Sequence, residues 1–534
     1  MQFPQNKLQI FYRFLQSKTF GFPVIAACFL LLLVFTGMKI RDGLYFDDTF
    51  MFVRYARNII QYGNYGWNPF EHTYGCTNIP FTYFIVLLKT LGIEKLLGLS
   101  ATLLISSLFW ALCSLVLLHK VMNDLIGDRM GTHRWLLILY TATLAIAPVF
   151  AYNIITGMDT TFSLFFNVLM IHFLFRYRRR PGPLSLFLAA WFSYFIFLLR
   201  PDCGIYSVLL PVLFFLDQKL PARKIISFYI LLFLFFTADT LIKYAYFGNP
   251  LPLPFYVKKS GFYLGYLGMS YWNPVQYSFD FLFDFGFLFI AFLLFRSGLS
   301  MKRFLVFGIP LSLSILYYFT VTQIMGFHSR YYLPSMPFFV IGTIYGFSEM
   351  KTMTLDFRKL ALPLIYCIFI LLLQFGAPVY EIYVQDKSMT ESVAFTMPPV
   401  SENQLPCREF GYKGGIAVME KIIRLLPPDA TVAATEYGYL SVKAPNIKFM
   451  DLCGLHNADM ALHGYSDRFL KLWSPSLIWM PPRDYTSLRY EIATGAYFRE
   501  HYDYFPNAVN YGIAVLKNSP DHDQLIKMIL SECK

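Results

Sequence analysis

The chain has 534 residues, of which 56% are hydrophobic and only 15% charged, and its formal net charge is +12. Soluble domains carry about a quarter charged residues, so this composition excludes an ordinary soluble protein. The basic residues fall between long apolar runs instead of forming one patch, which indicates a polytopic α-helical membrane protein and argues against a nucleic-acid partner.

The first apolar run, residues 21–38, is long enough to cross a bilayer and follows three basic residues. No small-x-small cleavage site ends it, so we expect a retained anchor with a cytoplasmic N-terminus. Two adjacent carboxylates, Asp47 and Asp48, come almost directly after this run. They should emerge at the membrane surface, where a charged group is costly unless it has a task.

Two segments of the following loop are too polar or too short to cross the membrane. Residues 49–61 have the period of an amphipathic helix, with Arg54 and Asn58 on its polar face. Residues 79–92 form an apolar stretch that is shorter than a span requires. We expect both to be helices in the membrane interface, within a first outer loop of residues 40–96.

Ten further apolar segments predict transmembrane helices. If residues 79–92 do not cross, every basic connection between these segments falls on the side of the N-terminus, as the positive-inside rule requires. The sequence therefore predicts about eleven crossings, with the N-terminus in the cytoplasm and the C-terminus outside. The ten segments are 97–119, 134–152, 160–176, 183–199, 203–217, 223–244, 277–295, 303–323, 332–348 and 358–378.

The composition changes from about residue 380, where short apolar pieces replace the long runs. Residues 416–426 read as a helix closed by two prolines. We expect a membrane domain over residues 1–378 and a C-terminal extracytoplasmic α/β domain over residues 379–534. The pieces that indicate strands are 431–434, 447–450 and 477–480. The cysteines of this tail, which allow one disulfide outside the cell, are Cys407, Cys453 and Cys533.

The same topology assigns the unusual polar motifs to the outer side of the membrane. Because these motifs all lie on one side, we expect a polar cavity at the outer surface, beside the hydrocarbon in which a lipid tail could rest. Transfer of a sugar from a lipid phosphate needs a carboxylate to deprotonate or orient the acceptor hydroxyl, and cations to stabilise the leaving phosphate. The charged residues concerned are Asp47, Asp48, Asp159, Arg200, Asp202, Lys258, His328 and Arg330.

Five of these residues also have a structural interpretation. Asp48 and Asp159 each precede the expected start of a helix and could serve as caps. Arg200 could pair with a neighbouring carboxylate or extend its charge to the membrane surface. Lys258 could be an ordinary surface lysine, and His328 a structural hydrogen-bonding group. The sequence alone leaves these alternatives open.

The segment Tyr45-Phe-Asp-Asp-Thr-Phe50, followed by Gly66-Trp-Asn-Pro69 and Tyr74-Gly-Cys-Thr-Asn78, resembles the first outer loop of the GT-C glycosyltransferases. Within that superfamily it is similar to the group around the mycobacterial terminal β-1,2-arabinofuranosyltransferase. Further segments that resemble this group are 156–159, 199–202, 246–252, 330–334, 429–433 and 451–457.

The resemblance implies an inverting glycosyltransferase that moves a sugar, arabinofuranose-like or another, from a polyprenyl-phosphate donor to a cell-envelope glycan or glycolipid. The reaction would take place on the outer face of the bacterial cytoplasmic (inner) membrane. Asp47 would be the first choice as base, with Asp48 orienting the acceptor or assisting. No cofactor is required by these residues, and a divalent cation stays open. The residues expected to bind the donor phosphate or the substrate are Arg54, Asp159, Arg200, Asp202, Lys258, His328 and Arg330.

Two other classes of function stay open at this point. A transporter or flippase of lipid-linked sugars would hold its polar residues near the midplane of the membrane, often between internal repeats. The chain shows no clear repeat, and its charges lie at outer helix ends. A non-catalytic relative would bind the polyprenyl-phosphate sugar without turnover, because a fold alone does not fix a function.

Overall fold

The computed structural model covers the helical and sheet-containing parts of the chain with several gaps. The residues that it describes are 30, 32–34, 36–37, 46–130, 135–259, 273–293, 300–321, 329–348, 410, 412–482 and 485–533. Most of the first predicted span, the predicted span 358–378, Cys407 and His328 lie outside the described residues.

Both predicted interfacial helices are present in the first loop. The helix Asp47–Tyr62 begins two residues earlier than expected and ends at Gly63, whose φ of 72° is the left-handed conformation that glycine adopts readily. The helix Ile79–Thr90 starts after Asn78, whose side chain accepts a hydrogen bond from the backbone N–H of Phe81. Its 12 residues span about 18 Å, too short to cross the hydrocarbon core.

Long apolar helices pack side by side in the first part of the chain, around a core rich in Leu, Ile and Phe. Two of them, Leu99–Ile126 and Ala222–Phe247, are long and apolar enough to cross a membrane by length and composition. The number of crossings therefore stays a prediction. The helices of seven residues or more that follow Ile79–Thr90 in this region are Leu99–Met130, Trp135–Ile146, Pro148–Ile155, Thr160–Arg179, Pro183–Leu199, Gly204–Asp217, Ala222–Phe247, Leu253–Lys259, Asn273–Leu293, Met301–Tyr318 and Met336–Phe347.

The predicted span 134–152 is two helices rather than one. Pro148 cannot donate a backbone hydrogen bond and disfavours a helical conformation at Ala147, so the chain breaks there. The next backbone N–H, that of Val149, donates to Oδ2 of Asp284 at 2.9 Å. This carboxylate thus satisfies the start of the second helix from a different part of the chain.

The tail contains a five-stranded sheet in the order β2-β1-β3-β5-β4. The strands are β1 (Thr431–Ala434), β2 (Lys448–Asp451), β3 (Leu477–Trp479), β4 (Tyr502–Phe505) and β5 (Ile513–Leu516). β2, β1 and β3 run parallel, and β5 and β4 complete the sheet as antiparallel strands. The first three strands and a helix, Tyr412–Ile423, confirm the predicted elements, whereas β4 and β5 were not predicted. Cys533 is in a disulfide.

The first loop and the sheet share one hydrophobic core, in which Phe50 and Trp67 pack with residues of the strands. β2 is an edge strand, and polar groups of the first loop cover its outer edge. The side chain of Asn68 exchanges hydrogen bonds with both the N–H and the C=O of Phe449, at 3.0 and 3.2 Å. The indole N–H of Trp67 donates to the same carbonyl at 3.1 Å. The loop therefore satisfies backbone groups that an edge strand would otherwise expose.

Candidate active site

A cavity of about 170 Å³ lies where the first loop meets the ends of several long helices and the sheet. Its apolar lining comes mainly from the first loop and from residues 252–255. Charged and phenolic groups form much of the remaining lining. The polar residues that line the cavity are Asp48, Asp159, Arg200, Asp202, Lys258, Tyr317, Tyr318, Arg330 and Tyr331. Six of the nine predicted site residues therefore meet at one place.

Asp48 stands in the first turn of the helix Asp47–Tyr62 and faces the cavity. Its Oδ2 accepts a hydrogen bond from Nη2 of Arg330 at 2.7 Å. Arg330 is 6% exposed, and its guanidinium also lies over the rings of Phe46 and Tyr331. Such a charge-assisted pair is strong when it is shielded from water, so each partner holds the other in position.

Tyr331 stands among three cations. Its hydroxyl accepts a hydrogen bond from Nζ of Lys258 at 2.7 Å and one from Nη2 of Arg330 at 3.2 Å. The guanidinium of Arg200 lies over its ring at 5.5 Å from the centroid. Burial acts to raise the pKa of the phenol, but Lys258 and Arg330 outweigh it and lower the pKa to about 8. The positive charges therefore converge on one oxygen atom, which marks a place suited to an anion.

Arg200 and Asp202 form a bidentate pair at the edge of the cavity. Nε and Nη2 of Arg200 donate to Oδ1 and Oδ2 of Asp202 at 3.2 and 2.9 Å. The hydroxyl of Tyr318 lies 2.6 Å from the same Oδ2 and 2.9 Å from the carbonyl oxygen of Tyr331. Burial would raise the pKa of Asp202, but the Arg200 guanidinium holds it below its usual range. The pair confirms one structural interpretation of Arg200 and also fixes the guanidinium in the cavity wall.

Asp159 precedes the helix Thr160–Arg179 at the N-cap position, but its side chain makes no capping hydrogen bond. Instead its Oδ2 accepts a hydrogen bond from Nδ2 of Asn78 at 2.9 Å. Burial raises the pKa of this carboxyl, although Arg200 and Arg330 act in the opposite direction. Asn78 thus connects the helix Ile79–Thr90 to a carboxylate of the cavity. Its sequence motif alone did not indicate this contact.

Asp47, the neighbour of Asp48, is buried and is not among the residues that line the cavity. Its two carboxylate oxygens accept hydrogen bonds from the backbone N–H groups of Gly438 and Tyr439, both at 2.8 Å. Burial raises its pKa to about 6, against the effect of these hydrogen bonds. The carboxylate therefore joins the first loop to the segment that follows strand β1.

Arg54 also lies away from the cavity. It is fully buried, and its guanidinium donates hydrogen bonds to the backbone carbonyls of Trp67, Ser441, Pro445 and Ile447 at 2.8 to 3.2 Å. Arg54 was expected on the polar face of an interfacial helix and among the residues that bind the donor phosphate or the substrate. At this position it packs against the edge of the sheet instead, because the carbonyls of the tail replace water as acceptors.

His456 is buried and follows Leu455, which lines the cavity. Its ring stacks on Trp67 at a centroid distance of 4.3 Å, and its Nδ1 lies 2.9 Å from the hydroxyl of Tyr55. Burial lowers its pKa to about 3. A side chain at Gly75 would collide with both His456 and Tyr55, so the backbone can approach only because this residue is glycine.

Sequence reasoning found most of the charged groups of the cavity but not its phenols. Tyr331 lies within a segment that resembles the arabinofuranosyltransferase group, and Tyr318 lies near the end of a predicted span, where a tyrosine usually indicates the membrane interface. Neither position carries a signal for contact with Arg200 or Arg330. Among the described residues, no group of three or more His, Cys, Asp or Glu is arranged to hold a metal ion.

No family model and no curated protein matches the chain. Among solved structures, the chain is similar to ArnT from Cupriavidus metallidurans, in a crystal structure bound to undecaprenyl phosphate. The TM-score is 0.54 at 13% sequence identity, over 94% of this chain and 99% of that chain. This likeness concerns the fold alone, and it agrees in general with the predicted helical fold. The arabinofuranosyltransferase group gains no support from it.

Proposed function

We propose that the chain is a glycosyltransferase that moves a sugar from a polyprenyl-phosphate donor to a cell-envelope glycan or glycolipid. The observation that carries the proposal is the cavity, where a carboxylate, Asp48, faces converging cations beside apolar residues. ArnT binds undecaprenyl phosphate in its crystal structure, and the shared fold supports the same class of donor here.

The proposal includes the topology predicted from the charge rule. In that topology the chain crosses the cytoplasmic membrane about eleven times, and the cavity and the domain of residues 379–534 both lie outside. The contacts between the first loop and the sheet support this common sidedness, because two segments that share a core must lie on one side of the membrane.

The donor phosphate would bind where the hydroxyl of Tyr331 now accepts its two hydrogen bonds. Lys258 and Arg330 already point to this place, and Arg200 lies over the adjacent ring. Arginine binds phosphate through two parallel hydrogen bonds, and the Arg200–Asp202 pair keeps one guanidinium in a fixed orientation. The apolar wall formed by residues 252–255 would hold the first isoprene units of the lipid.

Asp48, rather than Asp47, would act as the base. A donor phosphate competes with Asp48 for Arg330, so its arrival would release the carboxylate to accept a proton. The acceptor hydroxyl then attacks the anomeric carbon and its proton passes to Asp48. The bond between that carbon and the phosphate oxygen breaks in the same displacement, which inverts the configuration. The cations stabilise the charge that develops on the leaving polyprenyl phosphate.

The test is mass spectrometry of lipids and envelope glycans from cells that lack the protein and from cells complemented with variants. We expect the deletion and Asp48→Asn to lose the same sugar from the glycan and to accumulate its polyprenyl-phosphate donor. Asp47→Asn is the matched control, because it changes the adjacent carboxylate, and it should restore the sugar. Full rescue by Asp48→Asn would remove this carboxylate from the mechanism and favour a transporter of lipid-linked sugars.

A further inference from the structure

A second cleft, of about 370 Å³, lies between the helices Leu99–Met130 and Thr160–Arg179, far from the cavity described above. Its charged and titratable residues come from both helices, and those of the helix Thr160–Arg179 and its C-cap lie 12 to 20 residues beyond Thr160, which lines the cavity. At a rise of 1.5 Å per residue the far end of this stretch lies about 30 Å from Thr160, the thickness of the hydrocarbon core. The residues that give this basic cleft its charge are Lys120, Asp124, His172, Arg176, Arg179 and Arg180.

The charges of the basic cleft are ordered by helical spacing. His172, Arg176 and Arg180 follow one another at intervals of four residues and so share one face of their helix. Lys120 and Asp124 stand one turn apart on the facing helix. His172 lies within the electrostatic influence of charged groups on both helices. Both walls therefore direct their charges toward the same space.

The single carboxylate of the basic cleft is already engaged. Arg179 pairs with Asp124 at 3.6 Å and also donates to its backbone carbonyl at 2.9 Å. Within the described part of the chain, no carboxylate forms an ion pair with Lys120, Arg176 or Arg180. The three positive charges of Lys120, Arg176 and Arg180 can therefore be neutralised by an anion from outside the chain.

Apolar side chains form the rest of the cleft. Val121 and Phe175 are buried and Leu125 is half-buried, and all three line the same space as the cations. An anion bound here would therefore have hydrocarbon groups directly beside it. Phosphate suits the cations, since arginine matches its geometry with two parallel hydrogen bonds. The apolar floor suits the glycerol and upper acyl groups of a phospholipid.

We propose that the basic cleft binds the phosphate of an anionic phospholipid headgroup, in the leaflet opposite the cavity. The inference rests on the geometry of these two helices and not on the proposed glycosyl transfer. Basic pockets between membrane helices on the cytoplasmic side are suited to such headgroups. A free phosphate ion offers the same chemistry without the acyl chains, so the experiment must separate the two sources.

The test is native mass spectrometry of the full chain in detergent, titrated with phosphatidylglycerol, phosphatidylcholine or inorganic phosphate alone. The variant Lys120→Ala/Arg176→Ala/Arg180→Ala removes the three available cations of the cleft. The matched control Arg178→Ala/Arg223→Ala/Lys224→Ala removes three cations at the same end of the helices that do not line it. At about fivefold per cation, the first variant should bind phosphatidylglycerol on the order of 100-fold more weakly, and the control should bind it as the unmodified chain does.

Both variants must show the thermal midpoint of the unmodified chain. If the cleft variant unfolds, the single substitution Arg176→Gln takes its place and should weaken phosphatidylglycerol binding about fivefold. Equal binding of phosphatidylcholine and phosphatidylglycerol would overturn the proposal, as would equal weakening by the cleft variant and its control. If inorganic phosphate binds with the same dependence on the variants while phosphatidylglycerol gains nothing over phosphatidylcholine, the lipid assignment is wrong and the cleft is a site for the free ion.

Discussion

The side chains of Asp47 and Asp48 leave the same helical turn and bind partners in different parts of the molecule. Asp47 accepts hydrogen bonds from two backbone N–H groups of the tail, whereas Asp48 pairs with Arg330 in the cavity wall. Two carboxylates that are adjacent in the sequence therefore have distinct surroundings. One joins two segments of the protein, and the other lines the cavity.

This difference predicts distinct kinetic effects for the two amide substitutions. Asp48→Asn should lower kcat for transfer by about 100- to 10,000-fold, the contribution typical of a general base. Asp47→Asn should leave kcat within about threefold, because its side chain does not line the cavity. Transfer rates of the purified variants, measured with a polyprenyl-phosphate sugar, check this, and an equal loss in both would contradict it.

The raised pKa of Asp47 predicts a pH-dependent loss of stability. Its pKa is about 6 in the folded chain against an ordinary value of 3.8, so between these values the folded chain holds more protons than the unfolded chain. The free energy of unfolding then falls as the pH rises through this window, by about 1.4 kcal/mol per pH unit. Asp47→Asn should lack this contribution and gain stability relative to the unmodified chain from pH 4 to pH 6, by roughly 2 kcal/mol.

The measurement is the thermal midpoint of both proteins in detergent across this pH range. Asp451 and His456 also have shifted pKa values, to about 6 and about 3, but they are present in both proteins. The difference between the two curves therefore isolates Asp47. Parallel curves would show that its carboxyl titrates alike in the folded and unfolded chains.

The position of Tyr331 among cations predicts one tyrosine that ionises early. The ultraviolet absorbance of the purified chain should report one phenolate forming near pH 8, and Tyr331→Phe should remove this step while the other 37 tyrosines titrate as before. Tyr331→Phe should also raise KM for the donor by about 3- to 10-fold, because Lys258 loses the oxygen that positions it. Tyr317→Phe, a change at a neighbouring phenol of the cavity, is the control and should keep the early step.

The contacts of Arg54 predict a role in stability rather than in donor binding. Arg54→Lys keeps the charge but cannot reach four backbone carbonyls, so the free energy of unfolding should fall by about 1–3 kcal/mol. Arg57→Lys changes a half-buried residue of the same helix that hydrogen-bonds no backbone carbonyl in the described part of the tail, and the free energy of unfolding should stay within about 0.5 kcal/mol. The measurements are the thermal midpoint of each variant and its KM for the donor. A raised KM at an unchanged thermal midpoint in Arg54→Lys would show that Arg54 binds the donor.

The sequence predicted what depends on local pattern and on topology. The prediction that Asp48, Arg200 and Arg330 lie on one side of the membrane was sufficient to predict that they meet in one cavity. Helical periodicity was sufficient to predict the helix Asp47–Tyr62. It was not sufficient to separate Asp47 from Asp48, or to show that Arg54 is buried. Those outcomes depend on contacts with residues nearly 400 positions away, which no local pattern encodes.

Strands β4 and β5 escaped prediction for a related reason. Each has four residues, as β1 and β2 do, and a pattern of that length is too weak to distinguish every strand from a turn-rich segment. β5 pairs with β3 and β4 pairs with β5, and that pairing is a property of the assembled sheet. The same holds for Tyr331, whose significance comes from its contact with Lys258 on the helix Leu253–Lys259.

The hydrogen bonds between Asp47 and Gly438 join positions 391 residues apart, and this has a consequence for biosynthesis. The helix Asp47–Tyr62 emerges from the ribosome about 20–80 s before its partners in the tail, at the usual rate of translation. During that interval Asp47 lacks its two backbone N–H partners, and Arg54 has only the carbonyl of Trp67 among its four. The first loop can therefore reach its native state only after the tail has been synthesised, so a chain truncated before the sheet would leave the helix Asp47–Tyr62 without these contacts.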